Sequence, residues 1–148
     1  MTDDAEGLAI TLFAELHAID QRMRGRLLRA LPGGLGINQF SVLHHLARLG
    51  AERSPAQLAQ SFHVTRGAMT NTLARLQAAG FVHIRPDWED GRRKWVAISP
   101  AGLAARNRAL DALGPVLREA VAGAGPDRVR AAMPVLRALR AALVRAAG

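Results

Sequence analysis

SPAQLAQSFHVTRGAMTNTLARLQAAG, residues 54–80, followed directly by FVHIRPDWEDGRRKWVAI, residues 81–98, is the stretch whose reading decides the fold. Ser54 is a short acceptor suited to a helix N-cap, Pro55 is preset for the first helical position, and Gln57 stands where a capping box returns its hydrogen bond. A helix therefore starts at 55, turns Leu58 inward, and lasts about two turns before Phe62-His63-Val64. Thr65 caps a second helix in which Met69, Leu73 and Leu76 share one face, and Gly80 ends it. After Gly80 the spacing of apolar residues falls from near four to near two, so 81–85 and 94–98 read as two strands joined by a charged tip over 86–93. The expected order is short helix, tight apolar turn, second helix, basic hairpin.

Outward from this unit the pattern is helical. Leu8, Leu12, Leu16, Ile19, Met23 and Leu27 recur at three- and four-residue spacing and predict a long first helix over 2–31. Asp3, Asp4 and Glu6 open it and Arg22, Arg24, Arg26 and Arg29 close it, which complements the helix dipole at both ends. LPGGLG at 31–36 stops it, and a helix over 38–49 follows with Phe40, Leu43 and Leu46 or Ala47 inward and Gly50 at its end. Ser99-Pro100 repeats the cap-plus-proline start and opens a helix toward residue 123, kinked at Gly114-Pro115. A last helix spans 126–146, bent at Pro134, with Val129, Met133, Leu136, Leu139 and Leu143 on one stripe.

Composition agrees. The chain has 148 residues, 49% of them apolar, with few aromatic residues, which favours a mainly α fold with a small β-hairpin (α+β) in one domain, 1–148. Lysine and arginine number 20 against 12 acidic residues, a formal charge of +8 carried almost entirely by arginine, so a polyanionic partner is favoured. Absence of cysteine excludes disulfides, thiolate metal sites and thiol redox sensing. No apolar run is long enough to span a membrane, and a cytoplasmic protein is expected.

A short helix bracing a second one is the helix-turn-helix arrangement, in which the second helix enters the major groove. The outer face of that helix is small and polar. Gly67, Ala68 and Ala74 permit close approach, Thr70 and Asn71 offer donors and acceptors to base edges, and Arg66 and Arg75 reach guanine or phosphate. No acidic residue lies between Thr65 and Arg85, whereas an ordinary solvated helix face usually carries glutamate. Arg85, Arg92, Arg93 and Lys94 cluster at the hairpin and suit a wing laid along a minor groove, with Asp90 expected to orient Arg92. Ser54, Gln57 and Thr65, at the two helix starts, complete the candidate DNA-binding set.

With these residues in view the chain resembles the MarR family of bacterial transcriptional regulators. The matching stretches are Phe40-Ser41-Val42-Leu43, Ser54 to Ala59, Val64 to Thr70, and Asp90 to Val96 with its exit Ser99-Pro100-Ala101-Gly102. Asp90, Arg92 and Val96 stand at the family's aspartate, arginine and valine spacing. The resemblance implies a winged helix-turn-helix lobe at 37–99 and a helical dimerisation region at 1–31 and 100–148. It also implies a homodimer reading a palindromic double-stranded operator, acting as a repressor released by a small aromatic or phenolic ligand. Candidate pocket residues are Phe13, His17, Phe40, His44 and His45. Independently of the resemblance, the terminal stripes exceed what one short domain can bury, which marks Leu8, Leu12, Val129, Met133, Leu136, Leu139 and Leu143 as interface residues.

Other functions fit less well. No nucleophile with a base, inward carboxylate pair or phosphate loop has usable spacing, so neither an enzyme nor a cofactor is expected. A metal-responsive regulator would draw on His17, Glu15, His44 and His45, but adjacent histidines on a helix point about 100° apart. The same fold also supports a nonspecific or architectural DNA-binding protein, or a protein-interaction module.

Overall fold

The computed structural model describes residues 2–32 and 35–146. The order is α1 (Thr2–Ala30), α2 (Ile37–Leu49), α3 (Pro55–Ser61), α4 (Arg66–Ala78), β1 (Val82–Pro86), β2 (Lys94–Ile98), α5 (Pro100–Ala124) and α6 (Pro126–Ala146). Gly33 and Gly34 of the expected helix stop lie outside the described residues. Two compact units divide between Ala112 and Leu113, inside α5.

In the first unit the core forms where α2, α3 and α4 turn their apolar faces to the hairpin. Val42, Leu43, Leu46, Leu58, Met69, Leu73, Leu76, Val82 and Val96 are buried together. The local signals act as their chemistry requires. Ser54 Oγ accepts the Gln57 main-chain N–H at 3.2 Å while Gln57 Oε1 accepts the Ser54 N–H at 3.0 Å, closing the capping box that starts α3. Thr65 Oγ1 accepts the Ala68 N–H at 3.1 Å and starts α4. Between them the chain turns through His63, a non-glycine residue with φ of 52°.

β1 and β2 pair antiparallel, with Val82 opposite Ile98 and Pro86 opposite Lys94. β1 begins one residue later than the alternation predicts. Phe81 is held outside the ladder, its N–H on the Leu76 carbonyl and its own carbonyl on the Ser99 N–H. Arg53 makes an isolated antiparallel bridge to β2, exchanging main-chain hydrogen bonds with Val96 at 3.0 and 2.8 Å. Ser99 Oγ donates to the Gly80 carbonyl at 2.6 Å and accepts from Gly102 N at 3.0 Å, tying the end of α4 to the start of α5. At Gly102 a side chain would collide with the Phe81 carbonyl, which explains the glycine.

In the second unit α5 continues through Pro115, and α6 runs through Pro134. None of the described α6 residues is buried in the single chain. Among the described residues, no helix is long and apolar enough to cross a membrane.

Candidate nucleic-acid interface

A cleft of about 420 Å³ opens between the start of α3, the outer face of α4 and the hairpin. Ser54, Arg66, Thr70, Asp90, Arg92, Arg93 and Lys94 of the sequence-predicted set line it, joined by Pro55 and Ala56. Four cations thus face one carboxylate across a gap whose α4 wall is small and polar. Gln57, Thr65, Gly67, Asn71 and Arg75 are exposed on α3 and α4 outside this cleft. Ala68 is exposed too, but lines a hollow beside Asn38 and Ser41 of α2. Thr70 Oγ1 donates to the Arg66 carbonyl at 2.8 Å and keeps its lone pairs free to accept.

Three members of the set are engaged within the chain: Ser54 as the expected cap, Asp90 and Arg85 in pairings other than those expected. Ser54 is buried and its hydroxyl is used as the α3 cap. Asp90 Oδ1 takes the main-chain N–H of Arg92 at 3.1 Å rather than its guanidinium, because the tight turn brings backbone closer than side chain. Arg85 is bound bidentate to Glu52, Nε to Oε1 at 2.9 Å and Nη2 to Oε2 at 2.6 Å, next to the Arg53–Val96 bridge. That pairing holds the Glu52 carboxyl below its ordinary range and raises the Arg85 guanidinium.

The hairpin tip is braced by residues the sequence reading passed over. Asp87 accepts N–H groups from Glu89 at 2.9 Å and from the Trp95 indole at 3.0 Å, and these bonds lower its carboxyl below the usual range. The Arg93 guanidinium lies 5.1 Å from the centre of the Trp95 ring, a cation–π contact that fixes one of the cleft's cations. The signal that would have found this brace is the pair of tryptophans itself, at 88 and 95, the only two in the chain.

A second concavity, about 580 Å³, lies between α1 and α2. Phe40, His44 and His45 line it as expected. Phe13 and His17 do not: both are exposed nearer the N-terminus of α1, and it is Asp20, Met23, Arg24 and Leu27 that α1 presents, with Arg48, Leu49 and Phe62 on the other side. His44 stacks on Phe40, and its Nδ1 accepts from the Arg106 guanidinium at 3.2 to 3.3 Å. Burial, reinforced by Arg106, Arg48 and His45, lowers the His44 pKa; burial followed by Arg53 and Arg48 lowers that of His45. Among the described residues, no three His, Cys, Asp or Glu side chains stand close enough to hold a metal ion. His44 is engaged by Arg106, and His17 is exposed outside the cavity.

A model of the MarR family matches residues 33–93, the segment that carries α2 to the hairpin tip. Among curated proteins none matches the chain. Among solved structures, an E. coli MarR variant crystallised with operator DNA is 26% identical, with 88% of this chain and 94% of that chain covered and a TM-score of 0.72. The regulator BldR of Sulfolobus solfataricus is 25% identical over 92% of this chain and 94% of its own, with a TM-score of 0.71. A probable transcriptional regulator of Pseudomonas aeruginosa is 26% identical over 88% and 92%, with a TM-score of 0.61. Together with the cleft, the hairpin and the helix order, these likenesses make the chain similar to the MarR family of transcriptional regulators, in sequence over residues 33–93 and in fold over most of its length.

Proposed function

We propose that the protein is a homodimeric repressor that reads a palindromic operator through α4 and the hairpin and releases it when a small aromatic anion enters the α1–α2 cavity. The observation that carries the DNA half is the cleft in which Arg66, Arg92, Arg93 and Lys94 converge on the small polar face of α4. Helix and hairpin side by side suit a duplex, the helix for base edges and the arginines for the backbone. The structure of an E. coli MarR variant with operator DNA supports the same reading. On this reading Ser54 and Arg85 act by shaping the surface, and Gln57, Thr65, Arg66, Gly67, Ala68, Thr70, Asn71, Arg75, Arg92, Arg93 and Lys94 face the duplex.

The ligand half rests on the chemistry of the cavity: Phe40, Met23 and Leu27 offer an apolar bed, and Arg24 and Arg48 offer charge for a carboxylate or phenolate. The deciding experiment selects bound duplexes from a random pool. Two inverted half-sites about one helical turn apart are expected. A pool without consensus would leave only nonspecific DNA packing. Asn71→Ala should then weaken operator binding about 5- to 100-fold more than random-duplex binding; equal losses on both would remove Asn71 from base readout.

A further inference from the structure

Trp88 is 81% exposed on the loop between β1 and β2, more than any other large apolar side chain among the described residues. An indole left in water this way is usually a solvation cost without return. Here it is held. Asp87 fixes the turn beneath it by accepting the Glu89 N–H, and the Arg85 guanidinium lies 5.9 Å from the ring centre. Arg85 is itself locked to Glu52 by two hydrogen bonds. A carboxylate, a guanidinium and an indole thus form a row whose last member is left largely open to water. Arg92, Arg93 and Lys94, which line the cleft, follow on the same hairpin, while Trp88 itself is not part of the cleft lining.

We propose that Trp88 is a minor-groove wedge: on a duplex, its indole packs between the sugar walls and against an opened base step while the neighbouring arginines hold the phosphates. This rests on the DNA reading above. A partner with both flat apolar faces and dense negative charge is what an exposed indole on a hairpin that also carries the cleft's Arg92, Arg93 and Lys94 complements, and a duplex supplies both. The role assigned to Arg85 follows as well, since a guanidinium committed to Glu52 braces the wedge instead of joining the phosphate contacts. Apolar insertion is easiest at flexible pyrimidine–purine steps, so Trp88 adds a preference at positions where no hydrogen bond is made.

The experiment uses the full chain and a mixed-sequence duplex of about 25 base pairs at low ionic strength, with tryptophan emission and acrylamide quenching as readouts. On binding, wild-type emission should shift and lose much of its acrylamide accessibility. Trp88→Ala should abolish that change, weaken binding about 5- to 100-fold and leave the salt slope unaltered, because no charge is removed. Trp88→Phe should retain most of the affinity, which separates a lost aromatic contact from a disturbed hairpin. Wild-type affinity in Trp88→Ala, or an indole still fully quenched in the complex, would overturn the wedge while leaving DNA binding in place. A changed oligomeric mass in Trp88→Ala would overturn it in favour of a contact between copies. If the wild-type chain retains no duplex at all, the wedge falls together with the DNA reading.

Discussion

Asp87 accepts hydrogen bonds from the N–H groups of Glu89 and Asp90 and from the Trp95 indole, and through Trp95 it fixes the ring on which Arg93 lies. Two effects of removing it oppose each other. Loss of one negative charge beside a polyanion favours binding, and loss of the brace frees Arg93 and the loop, whose ordering must then be supplied on association. Freeing two or more long side chains outweighs one screened charge near the surface. Asp87→Ala is therefore expected to weaken duplex binding about 3- to 10-fold despite its more positive charge, measured by fluorescence anisotropy at fixed salt; tighter binding would show the charge to dominate. Ser54 and Gln57 were legible in the sequence because their chemistry is local, donor and acceptor three residues apart. Arg85 was not. Its partner Glu52 lies 33 residues away, across a sheet that no local pattern announces.

The same distinction governs the elements. α3, α4 and the hairpin declare themselves through caps and periodicity, and β2 falls on 94–98 as the alternation requires. What escaped is the pairing of Arg53 with Val96, too short to show any period, and the left-handed turn at His63, where no glycine gives it away. The tie between α2 and α5 is likewise long-range: Arg106 donates to His44 Nδ1, so the imidazole must be neutral, with its proton on Nε2. This makes a pH dependence. The folded chain holds His44 and His45 below the ordinary histidine pKa of about 6.5, so the unfolded chain binds more protons just below that value. Their contribution is complete above about pH 6.5 and is lost as pH falls through it toward the folded values. Urea midpoints at fixed protein concentration should be level from about pH 8 to 7 and decline from about 6.5 to 5, before carboxylates near 4 take part. His44→Gln should shallow that decline; an identical pH profile would mean that Arg106 and burial do not set the titration. Phe13 and His17 were misplaced for a related reason: apolar spacing assigns them a face of α1, and only the packing decides which part of that face meets α2.

α1 and α6 are the parts of the chain with most left uncovered. α6 has no buried residue, and Leu8 at 70%, Val135 at 59% and Leu143 at 55% stand open to water. Helices of this length gain most of their stability from packing an apolar face, and in the proposed homodimer a second copy of the chain supplies that cover. The terminal stripes were readable from spacing alone; their partner was not, because a stripe records that something covers it without recording what. Leu136, half-buried in the middle of the α6 stripe, is the position where a charge interrupts such a cover most directly. Leu136→Arg is expected to shift the mass in light scattering from dimer to monomer at micromolar concentration. The DNA consequence is sharper than the mass change. Two linked half-site contacts reinforce one another through a high effective concentration, and a monomer keeps only one of them. Operator affinity should then fall about a hundredfold or more, and the dependence of log affinity on log salt should drop to about half, while random-duplex binding changes far less. A monomer that kept wild-type operator affinity would show that one copy suffices for recognition, and a Leu136→Arg dimer would place the interface elsewhere.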